Sequence, residues 1–296
     1  MATATKTKPR KTAEERKAQA EALQAQLTAK IESFTSSDEW MKFLAFAQAF
    51  HAYSLNNVIL ILSQCNAASR VAGFRKWQEL GRQVRKGEKA IKIFGYSTKR
   101  VTETNEATGE DEEKTVVRFP ILSVFDISQT DLMEGAEDYS SPARRLTGTD
   151  DLGIVAKVTE FLTARGWTVT HEAIPGEVNG YTTTDGTRRV VIDSGLSPAQ
   201  AAKTAIHEAA HVILHAEEDH SEYVAHRGTK ETEAESVAYV MAGMLGLDTS
   251  AYSVGYVAGW SNADIDTVKA TAANVLRAVH ELAEALETQT DEDNAA

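Results

Sequence analysis

The sequence predicts an α+β protein of two domains, and three observations lead there. The 296 residues are 42% hydrophobic and 25% charged, so the chain can bury a sizeable core, and its length favours two modest domains over one large one. Stretches with apolar residues every three or four positions stand beside stretches of alternating apolar and polar residues, in both halves of the chain. Charge divides the chain as well. Residues 1–100 carry 18 Lys and Arg against 8 Asp and Glu, a net of +10, while the rest carries 13 against 35, a net of −22, within an overall −12. Such a division suits a basic module with a polyanionic partner joined to an acidic module without one.

Composition also excludes. No apolar run approaches the roughly 20 residues that span a bilayer. Met1 to Arg10 has no apolar signal core. The expectation is a soluble, cytoplasmic protein with no membrane partner. Cys65 is the single cysteine, which rules out an internal disulfide framework and any cysteine-cluster metal site.

Residues 1–12 form a basic leader rich in Lys, Arg, Thr and Ala. From Glu14 to Phe34, Ala20, Leu23, Leu27, Ile31 and Phe34 recur at helical spacing. Ser36 and Glu39 make a capping-box pattern before an aromatic helix carrying Trp40, Phe43, Phe46 and Phe50. Val58 to Leu62 is apolar throughout and fits a buried helix or a buried strand equally well. A short helix over Phe74–Leu80 stops at Gly81, and the turn at Arg85–Glu88 leads into a strand with Ile91 and Ile93. Thr102–Lys114 reads as an exposed hairpin loop, Thr115–Phe125 as a strand and Ser140–Arg145 as an interdomain linker.

The second half opens with a helix over Asp151–Arg165 and a strand over Trp167–Thr170. A hairpin over Gly180–Asp193 turns at Thr184-Asp185-Gly186. Ser197-Pro198 with Gln200 starts a well-capped helix, a further helix runs from about Thr229 to Gly246, and a last one from about Ala263 to Leu286 precedes a frayed tail at Asp291-Glu292-Asp293. The implied division is a basic leader and helix over residues 1–35, a first domain over 36–135, a linker over 136–149, a second domain over 150–288 and an acidic tail over 289–296.

The chemistry-bearing segment is His207-Glu208-Ala209-Ala210-His211, an HExxH sequence on a helix. Histidines four residues apart project from one face and can hold the same ion. Glu208 stands one step round the helix, where a general base for a metal-bound water belongs. Zinc needs a third protein ligand. The metzincin extension would need Gly and His where the chain has Leu214 and Glu217. A carboxylate from the next helix is the alternative, and Glu231, Glu233 and Glu235 are its candidates. Glu231, Ala234, Glu235 and Ala238 share one helical face, with small alanines that permit close packing, whereas Glu233 points away. Glu231 is therefore the expected third ligand, and Glu235 the expected acceptor for a histidine N–H. His215, one turn past His211, reads as a packing or capping residue.

HEAAH followed by Glu231-x-Glu233-Ala234-x-x-x-Ala238 resembles the ImmA/IrrE family of zincin metallopeptidases, whose pattern is HExxH followed by ExEANxFA. The chain departs from it at Glu235, where Asn is usual, and at Val237, where Phe is usual. It also lacks the LLMP ending, with Met244-Leu245-Gly246-Leu247 nearby. Neither substitution removes a ligand. The resemblance implies a zincin-like α+β domain that uses Zn2+ to hydrolyse a protein substrate.

The basic module holds 10 Lys and Arg and 2 acidic residues between Arg70 and Arg100, interleaved with Phe74, Trp77, Phe94 and Tyr96. That mixture suits single-stranded nucleic acid, whose phosphates meet cations and whose bases stack on aromatic faces. Tyr53-Ser54-Leu55-Asn56-Asn57, Gln64, Trp77, the run Gly81–Lys89 and Val124–Gln129 resemble, as an ordered set, the N-terminal domain of ArdC-type antirestriction proteins. The resemblance implies an α+β domain that binds single-stranded DNA, with Tyr53, Asn57, Trp77, Arg82, Arg85, Lys86 and Lys89 as its contacts. The expected function is a single-stranded DNA-binding metallopeptidase of a mobile element or phage. Two alternatives remain: a DNA-coating antirestriction protein with a non-catalytic zinc site, and a regulatory protease of ImmA/IrrE type with a protein-docking N-terminal domain.

Overall fold

The structure is a computed structural model that describes residues 12–104, 111–136, 153–217, 226–247, 249 and 265–293. Three helices open it: α1 (Ala13–Ser33), α2 (Ser37–Phe50) and α3 (Leu55–Gln64). The chain forms two compact units. One takes the chain up to Lys30 together with Ile59–Glu134, the other Ile31–Val58 together with everything from Gly135.

In the first unit, β1 (Val71–Gly73) leads directly into α4 (Phe74–Glu79), followed by β2 (Arg82–Val84), β3 (Ile91–Phe94), β4 (Ser97–Thr104), β5 (Asp111–Arg118), β6 (Ile121–Asp126) and β7 (Thr130–Leu132). An antiparallel sheet has the order β1-β6-β3, while β2 pairs with β7 and β4 with β5. Ile91 and Ile93 alternate inward in β3 and are buried, as are Val71, Trp77 and Val124. Buried Asp126 ties the sheet's end to the chain before it: its carboxylate accepts from Ser69 N (2.8 Å), Arg70 N (3.0 Å) and Ser128 N (2.9 Å).

The second unit holds α2, α5 (Ile154–Ala164), β8 (Thr168–Glu172), β9 (Gly180–Thr182), β10 (Arg189–Asp193), α6 (Pro198–His215), α7 (Arg227–Met244) and α8 (Ile265–Asp293). Its mixed sheet has the order β8-β10-β9, with β8 parallel and β9 antiparallel to β10. Central β10 buries Val190, Val191 and Ile192 completely, as an unbroken apolar run should. Helix α6 packs on α5, α7, α8 and the two strands β9 and β10, and α7 packs on α2 and α8.

The architecture is α+β, and several elements differ from the sequence reading. The ambiguous Val58–Leu62 is helical, within α3; its side chains are buried all round, so no face carries a period. The loop expected over Thr102–Lys114 is largely the paired strands β4 and β5. The residues there, Thr102, Glu103 and Thr104 against Asp111, Glu112 and Glu113, are all polar, which leaves no alternation to read. Helix α8 continues to Asp293 rather than ending near Leu286, because helical backbone bonds need no apolar face. By packing, α2 lies in the second unit, where buried Trp40 donates Nε1–H to Ser236 Oγ at 3.1 Å. A methyl added at Gly243 of α7 would overlap the Gln48 amide of α2. An amphipathic pattern states that a helix has a buried face, not which unit covers it. The linker expected at Ser140–Arg145 lies outside the described residues, as do residues 294–296. No single described helix is long and apolar enough to cross a membrane.

Candidate metal centre

Ser197 caps α6 by accepting from Gln200 N at 3.4 Å, and Pro198 occupies the first turn, where no donor is needed. Ten residues on, the helix presents His207 and His211 one turn apart, with their Nε2 atoms 3.0 Å from each other. Helix α7 brings Glu231 to the same point: its Oε2 lies 3.5 Å from His207 Nε2 and 3.7 Å from His211 Nε2. Fully buried Ala234 and Ala238 on α7 and Ala209 and Ala210 on α6 permit the close helix approach that this requires.

These three atoms pass a test for a shared divalent ion. Tetrahedral bonds of about 2.0–2.1 Å place ligand atoms roughly 3.3 Å apart, and the three separations lie on either side of that distance. The donor set, two imidazoles and one carboxylate, is also that of a hydrolytic zinc site. Among the described residues, it is the one cluster whose ligand atoms converge in this way.

The surroundings orient the donors. His207 Nδ1 lies 3.5 Å from Glu235 Oε1, and the other Glu235 oxygen lies 3.7 Å from Lys203 Nζ. Glu208 is buried beside them, and Thr182 of β9 donates Oγ1–H to its Oε2 at 2.7 Å. Gly180 makes that contact possible: a β-carbon there would stand 2.6 Å from Thr204 Cγ2, 2.9 Å from Val191 O and 3.3 Å from Glu208 Oε1. A cavity of about 290 Å³ opens between β9 and the His207–Glu208–His211 face of α6.

Burial raises the Glu208 carboxyl above its ordinary value, against the opposing pull of His207, His211 and Thr182. Glu231 shifts the other way, held well below the usual carboxylate range by hydrogen bonding to His207 and His211. Burial works against charge on His207, yet its hydrogen bond to Glu231 and the charges of Glu208 and Glu235 outweigh that and raise its pKa.

Glu233 does point away from the three ligand atoms, but not into solvent. It is buried, with Oε2 3.3 Å from His215 Nε2 and Oε1 accepting from Asn274 Nδ2 at 2.8 Å, so α6, α7 and α8 are linked through it. Sequence reasoning also missed Thr182 and Gly180, whose roles depend on β9 lying against α6 and leave no local signal.

The residues expected to touch DNA are divided between the two units. Tyr53 and Asn57 fall in the second unit and the other five in the first. Trp77 is 1% exposed and donates its indole N–H to Phe125 O at 2.8 Å, so it is core and not a stacking face. Arg82 donates to Thr130 Oγ1 at 2.8 Å. Arg85 pairs with Glu88 at 2.9 Å and Asp131 at 3.3 Å. Lys86 and Lys89 are exposed at the turn before β3.

Comparison with known proteins finds two families, one in each half of the chain. Residues 17–126 match the N-terminal domain of the anti-restriction factor ArdC, and residues 163–257 match the IrrE N-terminal-like domain of the Peptidase_M78 family. An uncharacterised protein of Bacillus anthracis, pXO2-81, is 27% identical over 271 residues, which cover 77% of this chain. The chain spans only 44% of that relative's length. Two crystal structures of the antirestriction protein ArdC from plasmid R388 are also similar. The metal-free one is 20% identical with a TM-score of 0.46, covering 80% of this chain and 86% of its own. The Mn(II)-bound one is 21% identical with a TM-score of 0.47, covering 79% and 84%.

Proposed function

We propose that this chain, which joins an ArdC-type N-terminal domain to an IrrE-like domain, is a cytoplasmic single-stranded DNA-binding protein with a zinc-dependent metallopeptidase site, acting in antirestriction for a mobile element or phage. The observation that carries the enzymatic half is the convergence of His207 Nε2, His211 Nε2 and Glu231 Oε2, with a buried Glu208 hydrogen-bonded beside them.

His207, His211 and Glu231 would hold the zinc ion, which when bound lowers the pKa of water towards about 7 and polarises a carbonyl. Glu235, with Oε1 3.5 Å from His207 Nδ1, stands on the side of the ring away from the ligand point. Strand β9 is the edge of its sheet, paired only with β10 among the described residues, and it borders the cavity. Its free backbone edge suits an extended peptide added as a further strand, which would set a scissile bond over Glu208. Thr182 occupies one Glu208 oxygen and leaves the other to take a proton from water and deliver it to the leaving amine.

Glu208→Gln tests this assignment. The protein, loaded with zinc, is incubated with single-stranded DNA and a host lysate, and Glu208-dependent cleavage products are sought. The variant should keep stoichiometric zinc and lose at least about 10²-fold in cleavage rate. Unchanged cleavage at full zinc content rejects Glu208 as the base.

A further inference from the structure

Strands β3 and β4 on one side and β5 and β6 on the other form a single long ribbon. Between the paired segments, Gly95 N–H donates to Pro120 O at 2.7 Å, so the ladder continues through residues that belong to neither strand pair. Alternation then places Lys92, Tyr96 and Arg100 on one face, opposite Ser123, Phe119 and Thr115. Tyr96 and Phe119 meet edge to face at 6.1 Å. They are 70% and 66% exposed, the two most exposed large apolar side chains among the described residues. A methyl at Gly95 would lie 2.7 Å from Leu122 Cδ1, so the leucine side chain packs over the glycine at this junction.

A groove of about 410 Å³ adjoins this pair, lined by Arg16 of α1 and by Lys92, Phe119 and Ser123 of the ribbon. Exposed Lys99 and Arg118 add positive charge from the opposite face. No carboxylate occurs from Lys92–Ser123 out to Val101–Lys114, roughly 30 Å of ribbon at about 3.3 Å per residue. In the register, the first acidic residue is Glu113, paired with Thr102.

We propose that this stretch is where single-stranded DNA docks, with bases stacking on Tyr96 and Phe119 and phosphates following Arg16, Lys92 and Arg100. The proposal rests on the single-stranded DNA reading above and gives it a place different from Trp77 and the Arg82–Lys89 turn. Two aromatic faces left in water among cations fit unpaired bases, which a duplex conceals, and the uninterrupted positive charge favours a polyanion over an apolar protein surface.

Fluorescence anisotropy of a labelled oligo-dT of about 16 nucleotides, the upper site size of a compact single-strand-binding fold, tests it on the full-length protein. Tyr96→Ala and Phe119→Ala should each weaken binding about tenfold or more, with circular dichroism unchanged. Arg100→Ala should lower the slope of log affinity against log salt by about 0.7. Oligo-U bound with the same losses also supports the stacking site and adds that the sugar is not read. Wild-type affinity in both aromatic variants overturns the placement while leaving DNA binding intact, as does equal binding of a duplex. Absence of wild-type binding at low ionic strength rejects the underlying reading itself. Sedimentation of Phe119→Ala would then show whether the patch is a protein contact.

Discussion

His207, His211 and Glu231 stand on two helices packed through buried alanines, with Glu235 beside one of the rings, whereas Tyr96 and Phe119 stand exposed on a ribbon. In the first region geometry is imposed from all sides. In the second it is imposed only by strand pairing. A metal-ligating constellation tolerates errors of about 0.5 Å at most, so it needs rigid elements with packed neighbours. A stacking surface for a flexible strand needs only exposed rings and a uniform potential. The regions should therefore respond differently to substitution: near the metal centre through folding and geometry, on the ribbon through affinity alone.

Glu233→Ala should show the largest effect on stability. The carboxylate is buried between His215 and Asn274, and its removal leaves both without it in a low-dielectric site. Leaving a buried polar group without its partner costs about 1–3 kcal/mol, and here two groups lose theirs. Urea unfolding of the full chain, followed by tryptophan fluorescence, measures the loss, and Glu233→Gln should lose less by keeping an acceptor for Asn274. A loss under about 1 kcal/mol would mean that the periphery of the metal centre is not the tightly constrained region that its contacts describe.

Asp126→Asn is the corresponding substitution in the first unit, with a smaller expected loss of about 1–3 kcal/mol because the backbone donors from Ser69, Arg70 and Ser128 would face an amide. Burial alone would raise this carboxyl, but the hydrogen bonds from Ser128, Arg70 and Ser69 outweigh it and hold the pKa below the ordinary value. A depressed folded-state pKa stabilises above the unfolded value of about 3.9 and is lost as pH falls through the folded value. The gap in unfolding midpoint between wild type and Asp126→Asn should thus be full at pH 7 and shrink below about pH 4. A gap constant down to pH 3 would remove the carboxylate from the account.

The same contrast explains what could be read in advance. HExxH is legible because i and i+4 share a helix face, and Glu231 because Ala234 and Ala238 mark the face that packs inward. Ser197 with Gln200 announces α6, and its cap is present at the expected residues. Thr182, Gly180 and Asn274 reach the centre only through tertiary packing, so nothing within a few residues of them signals it. In the basic module the sequence leaves one thing unread. Sequence shows that Trp77, Phe94, Tyr96 and Phe119 are aromatic but not which are covered. Trp77 proved to be core, while Tyr96 and Phe119 flank a junction that exists only once β3 pairs with β6 and β4 with β5.

Lys86→Ala should have the smallest effect, and for that reason separates the two placements of the DNA site most cleanly. Lys86 lies in the turn at the Ile91 end of β3, whereas Tyr96 follows the Phe94 end, about 16 Å further along at 3.3 Å per residue. Its side chain is exposed, so stability should change by no more than about 0.5 kcal/mol. If the strand runs from the α1 groove outward along β4 and β5, it passes no phosphate to this turn, and the salt slope should match wild type. A slope lower by about 0.7 would place a phosphate at Lys86 and extend the track back along the whole of β3. The exposed Lys89 beside it then becomes the next contact to test, and the ribbon face would be one end of a longer path rather than the site itself.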